Sequence, residues 1–324
     1  MHSASAPEAS WSPNETTWIL RLGEIPVRRS RFRLLQLDGH FADWIQRPIP
    51  DAPAAARGGD VAGAVIRSLP LASPMPALAI ENGLIRYATA MAPRHWISLE
   101  GSFAEYLAKF SSKTRQTLGR KTRKLLAPPV SAVFRTYRSP EEMQEFIREA
   151  RALSAKTYQE RLLGVGFPSE AAFRERIVER AASGMEQGFL LFSGDKAIAY
   201  LYTPEVKPGV FSYHSLGYDP EYEQHSPGTV LQYLALEHLF AQGKQGMFDF
   251  GEGETEQKRL FGTHSVLCAD VYLLRVTPGN LGRVGLRVFL ESTSSAVVWV
   301  LERAGIKRWV KRAMRRGATG KATE

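Results

Sequence analysis

A chain of 324 residues with 44% hydrophobic content can bury a large core and is long enough for two domains or two fused halves. A single cysteine, Cys268, excludes an intramolecular disulfide and a cysteine cluster for zinc or iron–sulfur; its strand-like surroundings favour a buried structural thiol over a nucleophile. The net charge of +9 gathers in two patches, Lys109–Lys124 and residues 302–324, and local patches of this kind point to an anionic partner.

In chain order, residues 1–17 are polar and rich in Ala, Ser and Pro, which reads as disordered, with no basic start and apolar run of a signal peptide. A strand pair or strand–helix unit is expected from Trp18 to about Trp44, then a Pro/Gly loop, a short capped helix over 60–69, and strands near 78–80, 84–87 and 96–99. A single helix is expected over 102–126. It has Phe103, Tyr106, Leu107, Phe110, Thr114, Leu118 and Leu125 on one face and Lys109, Lys113, Arg120 and Lys124 on another. With no acid within 109–124 to form i,i+4 pairs, the cationic stripe is either a solvated face or meets a phosphate-bearing or acidic partner.

A strand at 132–137, helices at 140–160 and 170–183 begun by Ser139 and Ser169, and a hairpin around Ser193-Gly194-Asp195-Lys196 follow. A strand at 210–216, a helix after Ser226 and a strand at 247–251 complete an α/β order that many mixed folds would accept. The tail 296–316 sets Val297, Val298, Leu301, Ile306, Trp309, Val310 and Met314 among basic residues. Such a helix fits an anionic membrane surface or covers a domain flank. Its longest apolar run, 296–301, is far short of the ~20 residues of a membrane span, so the expectation is a cytoplasmic protein, with peripheral membrane contact as the second reading.

The most informative segment runs from Tyr213 to Gly262. Ser226-Pro227-Gly228-Thr229 opens a helix with a favoured cap, a favoured first residue, and a glycine that leaves backbone N–H groups approachable. The helix beginning Ser139-Pro140-Glu141-Glu142 answers its own dipole with acids; the first turn after Ser226 carries none, leaving its positive end for an anion or for water.

Gly-Tyr-Asp-Pro-Glu-Tyr, then Ser-Pro-Gly, a helix, Phe248-Asp249-Phe250-Gly251-Glu252-Gly253 and Lys258-Arg259-Leu260-Phe261-Gly262 together resemble the acyltransferase domain of CelD-type cellulose-biosynthesis proteins. These belong to the GNAT (N-acetyltransferase) superfamily and are similar to the Fem-type aminoacyltransferases of peptidoglycan bridges. The resemblance covers about residues 102–276. It implies an α/β (α+β) fold with a mixed, mostly antiparallel sheet flanked by helices. It also implies a degenerate GNAT-like half over 18–101, a transferase domain over 102–278 and a basic tail over 279–324. Where the family usually carries an aromatic residue before the lysine, Gln257 stands here.

The chemistry implied is transfer from acyl-CoA (acetyl-CoA or longer) to an amine or hydroxyl of a sugar, lipid or envelope precursor, without a resident metal. An aminoacyl-tRNA-dependent transferase and a non-catalytic scaffold in polysaccharide biosynthesis are the alternatives. Ser226, Pro227, Gly228 and Thr229 would hold the phosphates. His214, with a reference pKa near ~6.5, is a candidate base, alongside Glu252 and Asp249. Tyr218 is a candidate acid for the thiolate. Lys258, Lys113, Arg115 and Arg120 are candidates for anionic groups of donor or acceptor, and Lys258 pairing with Glu254 is the bland alternative.

Overall fold

The computed structural model describes residues 10–22, 25–45, 51–156, 166–243 and 245–303, with side chains through 293. The chain divides into two compact units, one made of residues 1–91 and 269–324 and the other of residues 92–268.

In the first unit, β1 (Trp11–Leu22) and β2 (Ile25–Leu37) form a long antiparallel ribbon, followed by a one-turn helix α1 (Phe41–Trp44). Residues 11–17, expected to be disordered, are the first half of β1 and pair with residues 31–37. Along this segment Pro13, Glu15 and Thr17 are exposed while Thr16 turns in, so a polar composition is compatible with a strand here. The expected helix over 60–69 is a strand, β3 (Gly63–Leu71), parallel to the end of β2. Nearly all of β3 is buried, so it lacks the alternation that identifies a half-exposed strand. Gly63 is required there: a Cβ would stand 2.1 Å from the carbonyl oxygen of Leu273. β4 (Leu78–Glu81) pairs with the start of β5 (Leu84–Ser98), one long strand where two short ones are expected. The end of β13 (His264–Arg275) and α8 (Pro278–Arg303) complete the unit, whose core joins Trp18, Leu34, Tyr87, Tyr272 and Val284.

The second unit contains α2 (Phe103–Ala108) and α3 (Ser112–Leu126), two helices where the periodicity predicts one. Ser111 breaks the run, its hydroxyl accepting the Thr114 N–H at 3.1 Å as a new N-cap. The expected apolar face survives the break, because Tyr106, Leu118 and Leu125 all enter one core. β6 (Val133–Tyr137), β7 (Gly188–Ser193), β8 (Lys196–Tyr202) and β11 (Ser215–Tyr218) make an antiparallel sheet in the order β11-β8-β7-β6. On one face lie α4 (Pro140–Ser154) and α5 (Ala171–Ala181) over Tyr200, Tyr202 and Phe192. On the other lie α3 and α6 (Pro227–Ala241) over Phe189, Leu191 and Leu201.

A second group of strands holds the end of β5, β12 (Met247–Glu252), β10 (Val210–Ser212) and β9 (Glu205–Lys207), with β10 parallel to β12. A short helix α7 (Glu256–Phe261) follows β12. The result is the expected mixed, mostly antiparallel sheet flanked by helices. Residues 157–165, which include the end of the expected helix over 140–160, and 304–324, which include most of the tail helix expected over 296–316, lie outside the described residues.

Candidate functional site

The strand expected over 210–216 is two strands, and its interruption builds the site. Tyr213 N–H still bonds to the Asp249 carbonyl of β12 (2.8 Å), whereas His214 N–H bonds to the Tyr202 carbonyl of β8 (3.1 Å). Within one residue the chain changes partners, so β11 parts from β12 and stands at the end of its own sheet. α6 returns from the far end of β11, and its start closes against that strand: a Cβ on Gly228 would stand 2.9 Å from Leu216 Cδ2 and 3.2 Å from Tyr218 Cδ1.

The α6 start differs from its expected form in one respect. Ser226 lies in the left-handed region (φ 53°) and its hydroxyl caps nothing; its carbonyl accepts the Val230 N–H at 3.1 Å. Pro227 has no N–H, and among the described residues no acceptor meets the N–H groups of Gly228 and Thr229. By contrast, Ser139 and Glu142 form the expected capping box on α4, with Glu142 also accepting the Arg138 N–H at 2.8 Å. One helix answers its own positive end and the other leaves two donors over.

Asp249 is fully buried. Its carboxylate accepts from Arg94 Nε (3.0 Å), Arg94 Nη2 (2.5 Å) and Gly251 N–H (2.9 Å). With these bonds it is an anchor between β5 and β12 rather than an open proton acceptor. Arg94 comes from 155 residues away in sequence, and nothing in the local pattern of either residue names the other. Glu252 stands at the strand end, partly exposed, 3.7 Å from Arg94 Nη1. Lys258 sends its ammonium back to the carbonyls of Gly251 (3.4 Å) and Glu252, bracing the Gly-rich loop. Burial and then Arg94 push its pKa down, against Asp249 and Glu252. Glu254 pairs with Arg259 at 3.2 Å. Gln257 is half-buried with its amide nitrogen unpartnered.

His214 projects to the α4/α5 side, its ring 5.1 Å from Tyr202 and 5.6 Å from Phe173. Its packed surroundings, and then Arg176, hold the imidazole below its ordinary value, although part of the ring remains exposed. Tyr202 is fixed by donating its hydroxyl to buried Glu186 at 2.5 Å, and Glu186 in turn pairs with Arg180 at 2.5 Å. Tyr218 packs in the opposite core, and burial followed by Glu223 raises its pKa, so the phenol keeps its proton at neutral pH. His214 and Tyr218 thus sit on opposite faces of the sheet, one on each side of the parted edge. Cys268 is buried, and desolvation pushes its thiol up to about 12.

On α3, Lys113 and Arg120 are exposed, and among the described residues neither has a carboxylate within ion-pair distance. Arg115 is occupied: it donates to the carbonyls of Phe110 (2.5 Å) and Ala108 (3.4 Å), closing the end of α2. The residues brought together are therefore Asp249, Glu252 and Lys258, with Arg94 added. The α6 start, His214 and Tyr218 are placed along β11, and the α3 cations stand on a separate helix. Gln232, also missed in sequence, is wholly buried in α6 with both amide atoms unpartnered. Its only sequence signal is a polar residue within an apolar helical run.

Residues 112–259 match the family described as an acetyltransferase (GNAT) domain. The matched stretch supports a transferase domain in this part of the chain. No curated protein sequence matches the chain. Among solved structures, a conserved Bacteroides thetaiotaomicron protein of unknown function aligns with 60% of this chain and 64% of its own, at 12% identity and a TM-score of 0.43. The C-terminal domain (DUF2156) of an Agrobacterium fabrum protein aligns over 80% of each chain, at 12% identity and TM-score 0.48. FemX aligns over 82% of this chain and 89% of its own, at 10% identity and TM-score 0.46.

Proposed function

We propose that the protein moves an acyl group from acyl-CoA to an amine, or a hydroxyl, of a sugar, lipid or envelope precursor by direct attack. The observation that carries this reading is the parting of β11 from β12 at Tyr213 and His214, with the acid-free start of α6 at the other end of β11. A diphosphate on the Gly228 and Thr229 N–H groups would leave the attached arm to run along the freed edge of β11. Backbone groups there would bond it and hold the carbonyl oxygen as charge develops.

His214, neutral near pH 7 because its surroundings disfavour the cation, takes the proton of the attacking amine. The new N–C bond forms as C–S breaks, and Tyr218 supplies a proton to the departing sulfur. Glu252 is the second proton acceptor in reach of the parted edge. Asp249 and Lys258 keep β12 and the Gly-rich loop in place through Arg94 and the carbonyls of Gly251 and Glu252. A second reading, an aminoacyl-tRNA donor, draws on the unpaired cations Lys113 and Arg120 of α3; ribonuclease sensitivity of the activity separates the two.

The test is a calorimetric titration with coenzyme A of the parent and of Thr229→Asp. Gly228 is unsuitable for substitution because a side chain there meets Leu216 and Tyr218. An acid at Thr229 answers the helix dipole internally and repels phosphate, so affinity should fall by about tenfold. A parent that does not bind coenzyme A overturns the acyl-CoA reading and moves the weight to the tRNA donor.

A further inference from the structure

The two charge patches legible in the sequence are not the whole of the basic surface. β2 carries Arg28, Arg29, Arg31 and Arg33 in six residues, all exposed, and among the described residues none has a carboxylate within ion-pair distance. Strand alternation puts Arg29, Arg31 and Arg33 on one face, about 7 Å apart in succession. Across the ribbon they oppose Ile19, Thr17 and Glu15, so one acid stands against three guanidinium groups. The other face of β2, with Phe32 and Leu34, belongs to the unit's core. Ile19 (43% exposed) and Val27 (56% exposed) are uncovered on the ribbon among these arginines.

Among the described residues β3 joins β2 at Leu35–Ala64 and Gln36–Val65, so from Ile25 to Phe32 the ribbon continues as two strands for about 24 Å.

We infer that the exposed face of the β1–β2 ribbon docks on an anionic lipid surface. Arg29, Arg31 and Arg33 meet the headgroups, while Ile19 and Val27 enter the interface. Guanidinium groups keep their charge at the headgroup level while their stems lie along apolar neighbours. The two uncovered aliphatic side chains favour lipid over a nucleic acid, which offers no apolar phase to receive them. This inference stands independently of the proposed reaction.

The experiment is sedimentation of the full chain with vesicles of phosphatidylcholine alone and of phosphatidylcholine mixed with phosphatidylglycerol. The parent should bind the mixed vesicles and leave the neutral ones. The triple variant Arg29→Gln/Arg31→Gln/Arg33→Gln should partition about a hundredfold more weakly. Arg29→Lys/Arg31→Lys/Arg33→Lys should retain most of the binding, which excludes misfolding as the cause, and Val27→Ser should weaken it further at fixed charge. Equal binding by the parent and the glutamine variant would overturn the inference and assign the contact elsewhere on the chain. A parent that ignores mixed vesicles but binds a duplex RNA, with loss in the glutamine variant, would overturn it in favour of a nucleic acid.

Discussion

Replacing Asp249 by alanine separates anchoring from catalysis at the centre of the site. The substitution removes the two bonds from Arg94 and the one from Gly251 N–H, and leaves a guanidinium on a side chain only 11% exposed without its bidentate partner. Breaking a buried pair on one side costs about 3–5 kcal/mol. Glu252 stands 3.7 Å from Arg94 Nη1 and can take up part of the charge, so the lower end, about 3 kcal/mol, is expected. The double variant Arg94→Met/Asp249→Leu removes both charges and should recover most of the loss, ending within about 1 kcal/mol of the parent. Denaturant unfolding of the parent, Arg94→Met, Asp249→Leu and the double variant gives the coupling directly. If Asp249→Ala shifts stability by under about 1 kcal/mol yet abolishes turnover, the anchoring argument is wrong and Asp249 is a reacting group.

Two further outcomes follow from the same geometry. His214 is held below its ordinary pKa by its packed surroundings and by Arg176, so the neutral base persists to lower pH than in a free histidine. The acid limb of kcat/KM should therefore have an apparent pKa below ~6.5. His214→Gln should remove that limb, and a limb unchanged in this variant assigns the base elsewhere, with Glu252 first in line. Arg115→Ala should cost about 1–2 kcal/mol of stability through the lost bonds to Phe110 and Ala108. It should leave coenzyme A affinity within about twofold, because no donor of the α6 start depends on it; a larger loss in titration would make Arg115 a ligand contact.

Local chemistry made some parts of the protein legible without coordinates. Ser139 and Glu142 form a capping box because both partners lie within one turn, and the hairpin at Ser193-Gly194-Asp195-Lys196 forms because Gly194 accepts the left-handed turn conformation. The acid-free α6 start is equally a property of adjacent residues. Other features were not readable. The periodicity over 102–126 is continuous, and only the bonding of Ser111 divides it into α2 and α3. β3 is buried along most of its length, so its apolar run carried no period to distinguish strand from helix.

The sequence by itself determined the acyltransferase-like order of motifs, the positive helix start and the cationic stripe, since each is written in neighbouring residues. The tertiary structure decided that Asp249 is bound to Arg94, that Arg115 closes α2, and that His214 and Tyr218 flank the parted edge on opposite sheet faces. It also decided that the arginines of β2 share one face of a ribbon. For Asp249 the physical reason is long-range strand pairing, which sets a side chain's charge and freedom by placing beside it a partner 155 residues away; for Arg115 it is a local break between two helices, whose free carbonyls at Ala108 and Phe110 take its guanidinium.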